Sequence, residues 1–306
     1  MPLLSILMPV YNGERYLRPA VTGILRQDFR DFEFIAVDDG STDGSKRILE
    51  SFAKADARLR VLSRANSGIV GALNDGLALA QGELIARMDC DDIALPGRLQ
   101  AQVDFLQSHP ECVALGTAVQ IIDSYGAVVD RYDPPLEHDG IVAELFEGNG
   151  GALIHPSAVF RASALRAIGG YDPAFCKAED VDLYFRLSRH GRLANLPMLG
   201  LQYRHHVRST NFQHREIQRG LLNRILAREA GLRGERPRLV ALRGHTDLSR
   251  GQLHARYACS ALAHGRRLTA IRHGVCAVIR AEGDRECWRA LRYVLTARRP
   301  VLEPRP

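Results

Sequence analysis

Short apolar runs alternate, along the first part of the chain, with stretches in which apolar residues recur every three or four positions. The short runs predict buried strands at 4–10, 32–37, 59–62, 84–88 and 113–117. The stretches between them predict helices at 16–27, 45–54, 69–80 and 98–108. Strands that alternate with helices in this way form βαβ units. We therefore expect an α/β fold with a mostly parallel sheet flanked by helices.

The alternation becomes less regular after about residue 118. The pattern there predicts strands at 119–122, 128–132, 155–160 and 198–204, and helices at 139–146 and 178–190. From residue 212 the spacing is helical, with a helix at 212–230, a linker at 231–237 and two or three amphipathic helices within 248–298. The sequence therefore predicts an α/β domain over 1–210 and a helical extension over 211–306.

The basic residues are concentrated in the expected helical extension. The net charge of the chain is +6, and residues 211–306 hold 20 of the 41 Lys and Arg residues but only 8 of the 35 Asp and Glu residues. Such an arginine-rich tail could bind an anionic membrane surface or a nucleic acid, or could be a solvated helical surface. We take the anionic membrane surface as the partner to be tested and expect no nucleic acid.

The cysteine pattern and the lack of long apolar runs give an expectation of the cellular compartment of the protein. The six cysteines are scattered without a CxxC pair, which favours free thiols in a reducing cytosol over disulfides or a zinc site. No apolar run reaches the roughly 20 residues that a bilayer-spanning helix needs. The first residues lack the basic segment of a signal peptide. We expect a cytoplasmic protein that can be peripheral on the inner face of the membrane.

Two of the predicted strands end abruptly in adjacent carboxylates. Asp38 and Asp39 follow the second strand, and Asp89, Asp91 and Asp92 follow the fourth. Ligands bind at the carboxyl ends of parallel strands, and carboxylates this close must be solvated, protonated or neutralised by a cation. The pattern predicts a site for Mg²⁺ or Mn²⁺ and a polar ligand in one crevice. The alternative is that these residues form solvated turns or cap the helices that follow.

Other polar and aromatic residues follow the first three predicted strands. The acidic pair after the second strand could bind a nucleobase or ribose, because a carboxylate accepts a hydrogen bond from the imide N–H of uracil. Tyr11, which follows Pro9 in the first loop, could stack on a base or could belong to the core. Arg64, two residues before Asn66, could pair with phosphate or form a surface ion pair.

Two residues near the end of the α/β region could also take part in chemistry. Asp180, in the first turn of a predicted helix, could act as a general base, although acidic residues there often only complement the helix dipole. His206, at the end of the last predicted strand, could bind a metal or phosphate, although a single histidine is more often structural. The segment 155–157 could line the side of the site that binds an acceptor.

Taken in order, these segments resemble family 2 glycosyltransferases with the GT-A fold. The resemblance covers residues 3 to about 210, and each motif is modest, but their shared order makes the match specific. The motifs are Pro9-Val10-Tyr11-Asn12, Val37-Asp38-Asp39-Gly40-Ser41-Thr42-Asp43, Arg64-x-Asn66-x-Gly68, Ala72-Leu73-Asn74, Ala86-Arg87-Met88-Asp89-Cys90-Asp91-Asp92, Pro96-x-Arg98-Leu99, His155-Pro156-Ser157, Gly169-Gly170-Tyr171-Asp172, Ala178-Glu179-Asp180-x-Asp182-Leu183 and Tyr203-Arg204-x-His206-x-x-Ser209.

The resemblance implies inverting transfer of a sugar from a nucleotide-sugar, most often a UDP-sugar, to an acceptor hydroxyl. The residues it assigns to the nucleotide donor are Pro9, Tyr11, Asp38, Asp39, Arg64, Asn66 and Asp89. Asp89, Asp91 and His206 would contact the Mn²⁺ or Mg²⁺ that bridges the diphosphate. Asp180 would be the base that deprotonates the attacking hydroxyl, and in-line displacement would invert the anomeric centre.

The resemblance also divides the expected α/β domain into a nucleotide-binding half (1–118) and an acceptor-binding half (119–210). A QxxRW motif, which processive synthases of this family carry, is absent after residue 180, so we expect transfer of one or a few sugars. The expected acceptor is a saccharide or a lipid-linked molecule in surface polysaccharide or glycolipid synthesis. Cys90 stands where the family usually has a small residue, which we expect to leave the chemistry unchanged.

Other classes of nucleotide-binding enzyme lack their motifs in this chain. A dinucleotide-dependent oxidoreductase would have GxGxxG after the first strand, and a P-loop enzyme would have GKS or GKT. A nucleotidyltransferase would have a glycine-rich basic loop after the first strand, and none of the three is present. The alternative from a different class is a non-catalytic module that binds a sugar nucleotide or docks on a membrane.

Overall fold

A computed structural model describes residues 1–205, 214–236, 249–281 and 283–297. By their contacts, the residues form two compact units. The first unit comprises Met1–Val119, Asp133–Tyr203 and the described part of 216–241. The second unit comprises Gln120–Tyr132 and the described parts of 204–215 and 242–306.

Strands and helices alternate regularly in the first part of the chain. The strands are β1 (Leu4–Val10), β2 (Phe32–Asp38), β3 (Leu59–Ser63), β4 (Leu84–Arg87), β5 (Ile93–Ala94), β6 (Cys112–Ile122), β7 (Val128–Tyr132), β8 (Val159–Arg161) and β9 (Arg192–Arg204). The helices are α1 (Glu14–Leu25), α2 (Ser45–Ala55), α3 (Ile69–Leu79), α4 (Arg98–Ser108), α5 (His138–Phe146), α6 (Ala162–Ala167), α7 (Glu179–Leu187), α8 (Arg215–Leu232), α9 (Arg250–Ala263), α10 (Arg267–Ile279) and α11 (Arg285–Thr296). The predicted elements up to residue 108 are all present, with ends that differ by no more than two residues.

The strands form one mixed sheet in the order β3-β2-β1-β4-β8-β6-β9-β5, and β7 pairs with β6. β1 pairs in parallel with β2 and β4, and β2 pairs in parallel with β3. β8 pairs antiparallel with β4 and β6, and β5 pairs antiparallel with β9. The α/β class is confirmed. The antiparallel pairings involve β8 and β9, which come from the part of the chain where the strand–helix alternation is less regular.

The parallel half of the sheet is buried on both faces. All residues of β2 and β4 are buried, which explains why these strands have near-continuous apolar runs rather than alternating ones. α3 lies against β1 and β2. A Cβ added at Gly76 of α3 would lie 3.3 Å from side-chain atoms of Leu7 and Val37. A glycine at this position therefore permits close packing of the helix on the sheet.

Three elements in the second half of the sheet differ from their predicted form. The predicted strand at 155–160 is a 3-10 helix at His155–Ser157 followed by β8, because Pro156 has no N–H to donate to a strand ladder. β6 runs without a break through the two strands predicted at 113–117 and 119–122. β9 begins at Arg192, six residues before the predicted start.

α8 belongs to the first unit, although the sequence assigned it to the helical extension. Asp182 of α7 is completely buried and forms ion pairs with Arg186 at 2.6 Å and with Arg228 of α8 at 2.6 Å. Arg228 also pairs with Glu229 at 2.8 Å. Because a buried carboxylate needs such partners, these ion pairs join α8 to α7.

The second unit contains α9, α10 and α11, which agrees with the two or three helices predicted there. Alanines dominate its two apolar clusters, so the helices approach one another closely. A third cluster joins Tyr257 of α9 to Ile121 and Val129 at the adjoining ends of the sheet strands. None of the helices that the structure describes combines the length and the apolar character needed to cross a membrane.

A buried polar cluster holds the second unit together. Asp123 accepts hydrogen bonds from Arg272 and, at 3.0 Å, from the Nε2 of His273. The Nδ1 atoms of His273 and His254 lie 2.8 Å apart, so one ring donates and the other accepts. Burial is the main cause that lowers the pKa of each of these histidines to about 4. Both rings are therefore neutral near pH 7.

Candidate active site

The carboxyl ends of β1, β2 and β4 lie side by side at one edge of the sheet. Val10 of β1 is in register with Asp38 of β2, and Leu7 is in register with Arg87 of β4. The loop after β1 also approaches the segment after β4, because a Cβ added at Gly13 would lie 2.9 Å from the Sγ of Cys90. The two acidic segments predicted to share a crevice therefore flank the same loop.

The segment after β4 brings three carboxylates together. One carboxylate oxygen from each of Asp89, Asp91 and Asp92 lies within 4.8 Å of the others. Oxygen ligands at this spacing suit a hard divalent cation. Asp92 adds to the predicted pair and is nearly completely buried. It does not cap the helix that follows, since the N-cap of α4 is Gly97.

Cys90 lies between two of these carboxylates but is not a reactive thiol. Burial, together with Asp91 and Asp89, raises the pKa of its thiol well above the usual value. The thiolate, which is the nucleophile and metal ligand, is therefore disfavoured. The raised pKa is compatible with the expectation that Cys90 leaves the chemistry unchanged, which stays a prediction.

A buried arginine lies beside this acidic group. The Nη1 of Arg87 is 2.5 Å from an Oδ2 of Asp89, and the Arg87 side chain is only 4% exposed. Burial lowers the pKa of Arg87, but Asp89 and other nearby groups, Asp92 among them, together raise it above its usual value, so the guanidinium stays charged. The sequence reasoning missed this residue. A charged side chain at the end of an otherwise apolar strand was the signal that could have identified it.

Asp180 lies in the first turn of α7 beside Glu179. The backbone N–H of Lys177, which has the left-handed φ of +85°, donates to Glu179 at 2.5 Å and fixes the start of the helix. Burial raises the pKa of Asp180, and Asp89 raises it further, whereas Arg87 lowers it. Burial and Asp180 raise the pKa of Glu179 to about 7. Asp89 and Asp180 are therefore close enough for the charge of one to change the pKa of the other.

The loop that precedes α7 is held by side chains from two helices. Asn74 of α3 donates to the carbonyl of Tyr171 and accepts from its N–H, at 2.8 and 2.9 Å. Arg186 of α7 donates to the carbonyls of Ile168 and Gly170. These contacts fix the backbone of residues 168–171 against α3 and α7.

A buried His–Tyr pair lies near the same group. His155 Nε2 lies 2.9 Å from the hydroxyl of Tyr171, and burial followed by Arg87 lowers the pKa of His155 well below its usual value. This histidine is therefore neutral at pH 7. The predicted acceptor-side segment 155–157 is buried, so in this structure it supports the site rather than lining its surface.

The acidic pair after β2 organises the loop after β3. Asp39 accepts from the backbone N–H groups of Ser67 and Gly68 at 3.0 and 2.8 Å, and lies 3.3 Å from the Nε of Arg64. Asp38 accepts from the N–H of Ser41. Both carboxylates are buried. The oxygen that accepts from Gly68 has a second lone pair, so a nucleobase N–H could still bind there.

The remaining predicted donor residues surround this pair. Arg64 forms a 2.5 Å ion pair with Asp75, and Asn66 donates to the carbonyl of Asp39 at 2.9 Å. Tyr11 is 54% exposed, so it does not belong to the core. Pro9 is partly buried within β1. The structure gathers all of these residues at the carboxyl edge of β1–β3.

His206, the remaining predicted metal contact, lies outside the described residues. Its neighbour His205 is in the second unit, where its Nδ1 lies 2.6 Å from the hydroxyl of Tyr257. The role of His206 as a metal ligand stays a prediction.

Comparisons with known proteins identify the family to which this chain belongs. The model of glycosyl transferase family 2 matches residues 5–169. A putative glycosyltransferase of Bacillus subtilis (strain 168), EpsE, is 32% identical over 233 residues, which cover 75% of this chain and 82% of that protein. The chain belongs to glycosyltransferase family 2.

Solved structures show the same fold. Staphylococcus aureus TarS, crystallised with UDP-GlcNAc, matches with a TM-score of 0.61 and 18% identity, over 95% of this chain and 90% of that chain. The mannosyltransferase PcManGT of Pyrobaculum calidifontis, in complex with GDP-Man and Mn²⁺, matches with a TM-score of 0.56 and 17% identity, over 95% of this chain and 79% of that chain. The GT-A-like fold is therefore confirmed.

Proposed function

We propose that this glycosyltransferase moves a hexose from a nucleotide-sugar to an acceptor hydroxyl with inversion, in a reaction that depends on a divalent metal. One observation carries the proposal. Three carboxylates, those of Asp89, Asp91 and Asp92, cluster after β4, and the one on Asp89 raises the pKa of Asp180 in α7. A cation site and a candidate base in one site are what inverting sugar transfer needs.

Asp89, Asp91 and Asp92 would hold the metal, since their oxygens fit the ligand preference of Mg²⁺ and Mn²⁺. When bound, the cation would offset the negative charge that builds on the departing diphosphate. The crystallised mannosyltransferase with Mn²⁺ supports this assignment without choosing between the two metals. His206 remains a proposed further contact.

Asp180 would accept the proton of the attacking acceptor hydroxyl on its carboxylate. The acceptor oxygen would then form its bond to the anomeric carbon as the diphosphate leaves from the opposite face. A raised pKa suits this task, because a base whose pKa approaches the working pH accepts a proton more readily than an ordinary carboxylate. Arg87 opposes this rise in the pKa of Asp180.

The donor would bind across the loops after β1, β2 and β3. Asp39 with Asp38 would contact the base, Tyr11 would stack on it, and Arg64 would reach the phosphates. The UDP-GlcNAc complex of TarS supports a uridine donor, whereas the GDP-Man complex of PcManGT supports a guanosine donor. A carboxylate accepts from the N–H groups of uracil and of guanine alike, so we favour a UDP-sugar on the resemblance of the sequence motifs.

We propose further that the second unit docks on an anionic membrane, where a saccharide or lipid-linked acceptor of surface polysaccharide or glycolipid synthesis would be available. Arg285, Trp288, Arg292 and Leu295 follow at intervals of three or four residues on α11 and share a face. Trp288 is 59% and Leu295 52% exposed. Exposed aromatic and apolar residues beside arginines are typical of helices that lie in a membrane interface.

Trp288 is the only tryptophan of the chain, so its fluorescence reports directly on this face. Its emission should shift to shorter wavelength with vesicles that contain phosphatidylserine but not with pure phosphatidylcholine vesicles. The double variant R285Q/R292Q should reduce the shift. Unchanged emission with both kinds of vesicle would contradict the docking proposal and leave sugar transfer unaffected.

The transfer proposal is tested by screening UDP- and GDP-sugars with Mn²⁺ or Mg²⁺ for thermal stabilisation, and then for release of the nucleoside diphosphate. We expect one nucleotide-sugar to raise the unfolding temperature of the protein only when metal is present. The same nucleotide-sugar should be consumed, with release of its nucleoside diphosphate. Binding without any consumption, with or without candidate acceptors, would favour the non-catalytic module instead.

A further inference from the structure

Arg87 is a buried cation that contacts one acidic group of the site and acts electrostatically on the other. Its guanidinium is paired with Asp89 on the metal side, and its charge lowers the pKa of both Glu179 and Asp180 on the acceptor side. The Nε of Arg87 has no hydrogen-bond partner among the described residues. This guanidinium therefore has bonding capacity beyond its contact with Asp89.

The backbone holds Arg87 firmly in place. Its N–H donates to the carbonyl of Ala158 at 2.8 Å, and its carbonyl accepts from the Nη2 of the fully buried Arg98 at 3.0 Å. Arg98 is occupied elsewhere, since its Nε donates to Gln102 at 3.1 Å. Arg87 is therefore the cation that can respond when the charge around Asp89 changes.

A divalent cation that binds Asp89 must compete with the guanidinium for the same carboxylate. Asp89 Oδ2 is 2.5 Å from Arg87, which is a direct contact in a buried place where charges interact strongly. Once a metal takes this oxygen, the guanidinium loses its partner. Asp92 also acts on Arg87, but it belongs to the same carboxylate cluster and would be held by the same cation. The negative charges then left to Arg87 are those of Glu179 and Asp180, on which it acts.

We propose that Arg87 is a positioning residue that holds Asp89 until a divalent cation binds and then serves as the counter-ion of Glu179 and Asp180. Loading of the metal and donor would thus strengthen the electrostatic support of the base. This inference rests on the proposed metal-dependent transfer. It predicts that removing Arg87 affects metal binding and catalysis in opposite directions.

The test measures Mn²⁺ binding to the protein by isothermal titration, without donor or acceptor. Arg87→Met should bind Mn²⁺ at least about tenfold more tightly than the wild type, because a competing cation is gone from a buried site. Arg87→Gln, which keeps a polar side chain, should tighten binding in the same direction. Arg87→Lys keeps the charge and should stay within about threefold of the wild type.

A matched control separates this effect from the loss of any buried arginine. Arg161 donates to the carbonyls of Cys112, Leu106 and His109, all on α4 or near the start of β6. Arg161→Met should lower the unfolding temperature without changing the Mn²⁺ affinity. If Arg87 has a merely structural role, Arg87→Met should weaken Mn²⁺ binding or leave it unchanged, as general damage to the fold does.

Turnover supplies the second measurement. Arg87→Met should lower kcat for transfer at least about tenfold, although the metal binds more tightly, because the base has lost its counter-ion. If the wild-type protein binds Mn²⁺ but the Arg87 variants do not bind it more tightly, this inference alone is overturned. Wild-type protein that binds no Mn²⁺ would overturn the proposed metal-dependent function and this inference with it.

Discussion

The carboxylate of Asp89, at the end of a central strand, raises the pKa of Asp180, which lies in the first turn of α7. The two residues are far apart in the sequence but belong to one electrostatic environment, with Arg87 acting on both. Because charges act on one another mainly at short range, this relationship supports the proposal that the candidate metal ligands and the candidate base belong to one site. The predictions that follow test the parts of that site separately.

Substitution of one metal ligand should abolish metal-dependent donor binding. Asp91→Ala removes one of three clustered carboxylates, and the remaining two bind a hard divalent cation less well. We expect the affinity for a nucleoside diphosphate in the presence of Mn²⁺ to fall at least about tenfold. Isothermal titration with UDP and GDP measures it. Asp104→Ala, at an exposed position of α4, is the control, and equal affinities for the two variants would contradict the site.

The midpoint of the acid limb of the pH–rate profile should lie well above the ordinary aspartate pKa of about 4. A base works only when deprotonated, and burial raises the pKa of Asp180 while Asp180 and burial raise that of Glu179 to about 7. Activity should therefore be lost as the pH falls through this raised range. Glu179→Gln removes one of the paired charges and should move the limb to lower pH. An acid limb with its midpoint near pH 4 in the wild type would refute the assignment of Asp180 as the base.

The second unit should lose stability on mild acidification. Burial and Arg272 lower the pKa of His273 to about 4 in the folded state, against 6.5 for the free side chain. Between these values the unfolded chain binds a proton that the folded state does not, so stability falls as the pH drops from 6.5 towards 4 and is unaffected above 6.5. The expected slope is about 1 kcal/mol per pH unit.

Thermal unfolding at pH 7.5 and at pH 5 measures this dependence. His273→Gln should be less stable at pH 7.5, because Asp123 loses a hydrogen bond, but should show a shallower loss towards pH 5. His264→Gln, at an exposed position, should follow the wild type. Parallel losses in all three proteins would mean that the buried histidines do not control the acid response.

The sequence predicted the first half of the fold and the acidic edge of the site from one physical regularity. Buried parallel strands have continuous apolar runs, so a carboxylate directly after such a run marks the edge where ligands bind. Asp38, Asp39, Asp89 and Asp91 were found in this way. Asp92 was weighed as a helix cap, because the sequence could not show that Gly97 takes that place.

Contacts between distant segments were not predictable. Arg228 lies 46 residues after Asp182, and only the fold shows that α8 joins the first unit through this ion pair. The antiparallel strands β8 and β9 depend on similar long-range pairing. Arg87 was visible in the sequence as a charge in a strand, but its contact with Asp89 in a buried place is seen only in the fold.

The central claim is that one carboxylate performs base catalysis beside a bound nucleotide-sugar, and Asp180→Asn tests it most directly. The amide keeps the shape of the side chain but cannot accept the proton of the acceptor, so transfer should fall at least about a hundredfold. Donor affinity with Mn²⁺, measured by titration on the same protein, should remain within about threefold of the wild type. Transfer at the wild-type rate by Asp180→Asn would contradict the account.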